Sequence, residues 1–155
     1  MPKLADIEFI LRGARLNFEA HGYLAPVAFI FGAPSEPPIM LRLQLGGAED
    51  KEHTACALRA LAQKPGTRMV VVATEQWVGG TQASHRYARR HGTLAGAPGV
   101  RELVCVTVEQ PKEITMHTAE IVRADGVTLL GPWAQTIVPR SEASGRFIGF
   151  LDPEA

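Results

Sequence analysis

Arg86, Arg89 and Arg90 sit between His85 and His91 in a stretch, residues 79–100, that reads GGTQASHRYARRHGTLAGAPGV and contains no carboxylate. Side chains of these types suit one kind of chemistry. Guanidinium groups fork onto carboxylates and phosphates, and an aromatic ring such as that of Tyr87 offers a stacking surface. Arg101, just beyond, can join them. The stretch is too rich in glycine and too poor in large aliphatics to be a core element. Loops longer than roughly 12–15 residues in a compact domain are functional or disordered more often than not. We therefore read residues 79–100 as a long basic loop, and Arg86, Tyr87, Arg89, Arg90, Arg101, His85 and His91 as the candidate binding residues.

Glu75 is the one candidate for catalysis. It follows the apolar run Met69-Val70-Val71-Val72-Ala73, and strand alternation places it beside Trp77 and opposite Thr74 and Gln76. Such a carboxylate can serve as a general base with His85 or His91, or anchor Arg86 or Arg101. Other chemistries lack their residues. The five histidines form no His-x-x-x-His or H-E-x-x-H pattern and adjoin no C-x-x-C, so no metal is expected. There is no G-x-S-x-G elbow and no phosphate-cradling G-x-x-x-x-G-K-[ST] loop, and no cofactor is implied. Cys105 lies among valines, where burial raises a thiol's pKa, and Cys56 has His53 one helical turn before it.

The elements that must position these residues follow from periodicity. Leu4, Ile7, Leu11, Ala14 and Phe18 form one helical stripe that ends at Gly22. Val27-Ala28-Phe29-Ile30-Phe31 reads as a doubly buried strand, and residues 39–45 alternate as a strand with one wet face. A second helix is expected with Asp50 as N-cap and Ala55, Leu58, Leu61 and Ala62 inward, stopping before Pro65-Gly66. Beyond the basic loop comes a meander: residues 103–108, then 114–123, a tight Asp125-Gly126 turn, residues 127–130, a bend at Gly131-Pro132, and residues 133–138. Residues 146–151 either add an edge segment or cover the core. The order helix–strand–strand–helix–strand–loop–meander predicts an α+β fold, a largely antiparallel sheet of about six strands packed by two helices.

Composition bounds the rest. A chain of 155 residues, 46% of them hydrophobic, is expected to form a single domain with a core that needs no disulfides. Sixteen basic residues balance sixteen acidic ones, which counts against binding to duplex nucleic acid. No apolar run approaches the roughly 18–20 residues of a membrane span, and the N-terminus lacks a secretory h-region, so a cytoplasmic protein is expected.

The residues 26–32, 69–77, 103–109 and 118–123, PVAFIFG, MVVVATEQW, LVCVTVE and TAEIVR, carry a resemblance. In this succession the chain resembles a group of small uncharacterised bacterial and phage α+β proteins. The resemblance implies a fold and no activity. The leading expectation is a non-enzymatic protein-interaction domain, phage-related in the sense of that resemblance, that self-associates as a small homo-oligomer and uses its basic loop on a partner. The alternative is a binder of a small phosphate-bearing ligand or nucleotide through the loop arginines. The third is a hydrolase that uses Glu75 with a loop histidine.

Overall fold

Met69, Val71 and Ala73 point to one side of their strand, Val70 and Val72 to the other, and all five are buried. A strand buried on both faces needs cover on both faces. In the computed structural model, which describes residues 4–143 and 147–151, a helix supplies that cover on each side. The chain runs α1 (Leu4–His21), β1 (Val27–Phe31), β2 (Ile39–Arg42), α2 (Ala48–Ala62), β3 (Met69–Val78), α3 (Gln82–His91), β4 (Arg101–Glu109), β5 (Ile114–Ala124), β6 (Val127–Leu130) and β7 (Ala134–Val138), then a 3-10 turn at Arg140–Glu142.

Seven strands form one antiparallel sheet in the order β2-β1-β3-β4-β5-β6, with β7 also paired to β5. β6 lies along residues 121–124 of β5 and β7 along residues 114–118, so both occupy the same side of that strand. Between them Gly131 donates its N–H to the Glu120 carbonyl at 2.8 Å. The outer border is thus one strand broken at Gly131-Pro132-Trp133. At the β5–β6 turn, Asp125 (φ 51°) and Gly126 (φ 75°) both take the left-handed conformation that a two-residue hairpin demands.

The α+β architecture is as the sequence predicts, with differences in detail. A third helix, α3, stands within the expected basic loop. Asp50 is not the N-cap of α2: the cap is Gly47, and Asp50 lies in the first turn beside Glu49, where a carboxylate complements the helix dipole. Strand pairing in β2 stops at Arg42, although Leu41, Leu43 and Leu45 keep their alternation and pack toward α2. The side chain of Leu4 and all of Arg146 lie outside the described residues. Phe150 and Leu151 cover the core rather than extending the sheet.

α1 buries Ile10, Ala14 and Phe18 against alternate residues of β3, β4, β5 and β6. Arg15 fixes its position. Its two terminal nitrogens donate to the carbonyls of Leu130 and Gly131 at 2.7 and 2.6 Å, and its guanidinium lies 5.4 Å from the centre of the Trp133 ring. The helix therefore satisfies acceptors freed where the edge strand breaks. On the opposite face, Leu58 and Ala62 of α2 meet Ala28, Ile30, Val70 and Val72.

Glu109, at the end of β4, is 2% exposed. Its Oε1 accepts the N–H groups of Gly149 and Phe150 at 2.7 and 3.1 Å, and its Oε2 accepts that of Leu151 at 2.6 Å. Arg140 adds a 3.4 Å ion pair and also donates to the carbonyls of Gln110 and Leu151. A buried carboxylate is tolerable only with such partners. Glu109→Ala would leave three donors unmatched and is expected to cost about 3 kcal/mol or more in denaturant unfolding. Hydrogen exchange at Gly149, Phe150 and Leu151 should accelerate in that variant; unchanged protection would refute the role.

His117 of β5 is buried, with Val106 and Gln135 as its cross-strand neighbours. Burial holds its pKa below the ordinary histidine value. The unfolded chain therefore binds a proton more readily than the folded one once pH falls below about 6.5. Stability is fully present above that value and is lost as pH drops toward the lowered folded pKa. Melting temperatures measured between neutral pH and mildly acidic pH should decline, and His117→Gln should flatten that part of the decline.

Candidate functional site

The inner half of the sheet is covered by helices, whereas the outer half is not. In β3 every residue from Met69 to Thr74 is buried and every one from Glu75 to Val78 is exposed. β4 and β5 follow the same gradient toward Arg101 and Ala124, and β6 begins at this same end. Antiparallel pairing thus brings the 79–100 connection and the Asp125-Gly126 turn to one end of the molecule.

Side-chain ladders hold this uncovered end together. On one face Trp77 Nε1 donates to Glu102 at 3.1 Å, Arg123 Nε donates to the same carboxylate at 2.9 Å, and Arg123 reaches on to Thr128. The hydrogen bonds from Arg123 and Trp77 hold the Glu102 carboxyl below its usual range. On the other face Arg101 makes a two-pronged contact with Glu120 at 3.3 and 3.2 Å. Exposed ion pairs are worth little singly, about 0–1 kcal/mol, but these cross the strands where burial is least.

α3 is amphipathic without large aliphatics. Ser84, Tyr87 and Ala88 face inward, while Gln82, His85, Arg86 and Arg89 face water. The helix starts with reciprocal caps: Thr81 Oγ1 accepts the Ser84 N–H at 3.1 Å, and Ser84 Oγ accepts the Thr81 N–H at 3.2 Å. It ends at Gly92 in the left-handed conformation, and Arg89, Arg90 and His91 complement the dipole in its last turn. Its seat depends on close approach: a Cβ on Gly79 would stand 2.6 Å from the Ser84 hydroxyl oxygen and 3.0 Å from Leu94 Cδ2.

The structure brings some of the candidate residues together and separates others. His85, Arg86 and Arg89 line one open, shallow hollow of about 420 Å³ with Gly80, Thr81 and Gln82. Arg90 is exposed outside that hollow, and Tyr87 is turned against His91 with ring centres 4.1 Å apart. The guanidinium groups of Arg86, Arg89 and Arg90 make no hydrogen bond or ion pair with any described residue. Arg101 is committed to Glu120 and lies outside this group.

Glu75 is placed differently from the sequence expectation. Its Oε1 accepts the Leu24 N–H at 2.7 Å, tying the α1–β1 connection to β3, and neither Arg86 nor Arg101 is its partner. The small cleft beside it is lined by Gln76, Trp77, Glu102 and Ile121 and contains no histidine. Cys105 is buried and burial raises its thiol pKa, while Cys56 is exposed and touches Glu52 rather than His53. Among the described residues no three His, Cys, Asp or Glu side chains gather closely enough to hold a metal, and no helix is long and apolar enough to cross a membrane.

The sequence reading missed an exposed apolar face at the same end of the sheet. Val122, Val127 and Leu129 share one side of the β5–β6 hairpin and are each about half exposed. Val-x-Leu alternation at 127–129 was the available signal. Compared with family models, curated proteins and solved structures, the chain matches none.

The Gly79 contact generates a prediction. Gly79→Ala should displace α3 from its seat and speed amide exchange across residues 82–91 while leaving that of β3, β4 and β5 nearly unchanged. Equal protection in variant and parent would show that α3 does not rely on this approach.

Proposed function

We propose that the chain is a non-enzymatic binding domain that holds an acidic protein surface with the outward face of α3. The observation that carries this reading is the set of guanidinium groups of Arg86, Arg89 and Arg90, unpaired among the described residues and presented beside His85 on a capped helix. Unpaired cations on a rigid element supply attraction and orientation to an anionic partner. The exposed apolar face of Val122, Val127 and Leu129 at the same end of the sheet supports a protein rather than a free anion. Arginine and exposed apolar side chains on one end of a molecule are the composition of a protein interface.

Self-association as a small homo-oligomer belongs to the same reading, because β2 at the sheet border leaves an edge for a second copy. A phage-encoded factor that grips a host protein is one form of it, resting on the sequence resemblance.

The second reading, a phosphate-bearing ligand, is favoured by His85, Arg86 and Arg89 converging on one hollow. Against it, the hollow is open, and the Ser84 amide in the first turn is already taken by Thr81. Catalysis through Glu75 has no such support, since its carboxylate is bonded to Leu24 and its cleft contains no histidine.

The test is a titration with an acidic, leucine-containing peptide and, separately, with inorganic pyrophosphate. Arg86→Glu combined with Arg89→Glu should abolish peptide binding and change folding stability by no more than about 0.5 kcal/mol, as expected for exposed side chains. Leu129→Asp should weaken the peptide too. Pyrophosphate binding that survives Leu129→Asp would favour the second reading, and unchanged peptide binding by the charge-reversed variant would end the first.

A further inference from the structure

α1 covers β3 to β6 but stops short of the β1–β2 border, and the uncovered strip is a groove. It holds about 290 Å³, with Val27, Phe29 and Met40 on its floor and Phe9 and Gly13 along its α1 wall. That volume lies near the lower end of the roughly 300–1,000 Å³ typical of small-molecule sites. Phe9 and Met40 are 75% and 64% exposed, so two large apolar side chains at this groove stand in water. Isolated apolar side chains on a surface are ordinary; here they border a concave apolar strip.

Two features make the strip more than an unfilled gap. Gly13 lies in the middle of an 18-residue helix, where glycine is the least favourable residue after proline. No neighbour requires its small size: a Cβ built there meets nothing within 4 Å. Its missing side chain instead leaves the groove wide. The second feature is Arg42. Register places it opposite Val27 on the groove side of β2, next but one to Met40, while Leu41 and Leu43 turn toward α2. Its guanidinium has no hydrogen bond or ion pair with a described residue, and no carboxylate among the described residues lines the groove.

We infer that this groove is a binding site for a small amphiphilic carboxylate, a short aliphatic or single-ring acid. Its apolar part would lie along Phe29 and Met40 beneath Gly13, and its head group would meet Arg42. Guanidinium is the side chain best matched to a carboxylate, because two parallel N–H groups face two oxygens. The groove is too small for a helix and carries one cation at an apolar floor, so charge and size select the same class of occupant. The site shares none of its residues with α3, so the two proposals stand or fall separately.

Calorimetric titration of the whole chain with octanoate, octan-1-ol and octylamine tests it. Octanoate should bind saturably and at least about tenfold more tightly than octan-1-ol, the value of one charge-assisted hydrogen bond. Arg42→Glu should abolish octanoate binding and favour octylamine. Gly13→Leu should block all three ligands while leaving the melting temperature equal or higher, because the new side chain has open space and the helix gains a better former. Absence of octanoate binding, equal affinity for octanol, or binding that persists in Gly13→Leu would overturn the proposal. So would a dimer, seen by light scattering, that Gly13→Leu dissociates while octanoate fails to bind.

Discussion

One carboxylate completes the α2-covered face of this sheet. Glu109 lies at the inner end of β4, where both faces of the sheet are buried, and the only way to keep its charge there is to surround it with donors. Three consecutive backbone amides and Arg140 do so. The same bonds bring Phe150 and Leu151 onto the α2 face, where they complete the cluster around Leu58 and Ala62, and the Arg59 guanidinium lies over the Phe150 ring. Without that closure Val70 and Val72 would lose part of their cover, and the doubly buried strand on which both helices pack would lose its reason to be apolar. A carboxylate has lone pairs enough to hold three amides at once, and a charged acceptor at 2.6 and 2.7 Å makes the stronger kind of hydrogen bond.

The helices cover the sheet unevenly, and the two candidate sites are the places they leave open. α1 is held over the β6–β7 break by Arg15, which draws it away from β1 and β2 and exposes the apolar groove beside Arg42. Neither α1 nor α2 covers the ends of β3, β4 and β5 near Val78, Arg101 and Ala124, and there the sheet relies on Trp77–Glu102–Arg123 and Arg101–Glu120 instead of burial. That end can therefore display α3 and the hairpin face without sacrificing core. Burial is concentrated at one end and exposed side chains at the other.

The strands were legible because their residues obey local rules. The unbroken apolar run at 69–73, the Asp125-Gly126 turn and the Gly131-Pro132 bend each state their geometry within a few residues, and the structure places all three as read. α3 was hidden because its buried face is Ser84, Tyr87 and Ala88, which no hydrophobic pattern reveals. The signals that could have found it were Thr81 and Ser84 at capping spacing and Gly92 as a stop. Asp50 misled because any acidic residue near a helix start resembles a cap, whereas Gly47 adopted the extended conformation required. The roles of Glu75, Glu109 and Arg15 lay beyond sequence reasoning. Each depends on a partner 40 to 116 positions away, supplied by strand order and helix placement rather than by neighbours in the chain.

The break between β6 and β7 has a further effect on how the molecule behaves in a crowded solution. A long continuous border strand presents a row of free amides and carbonyls to any unfolded chain nearby. Here Pro132 has no N–H to offer, the neighbouring carbonyls of Leu130 and Gly131 are taken by Arg15, and the backbone kinks between two short pairings. Unchecked strand addition of the kind that grows fibrils finds no uninterrupted template on that flank.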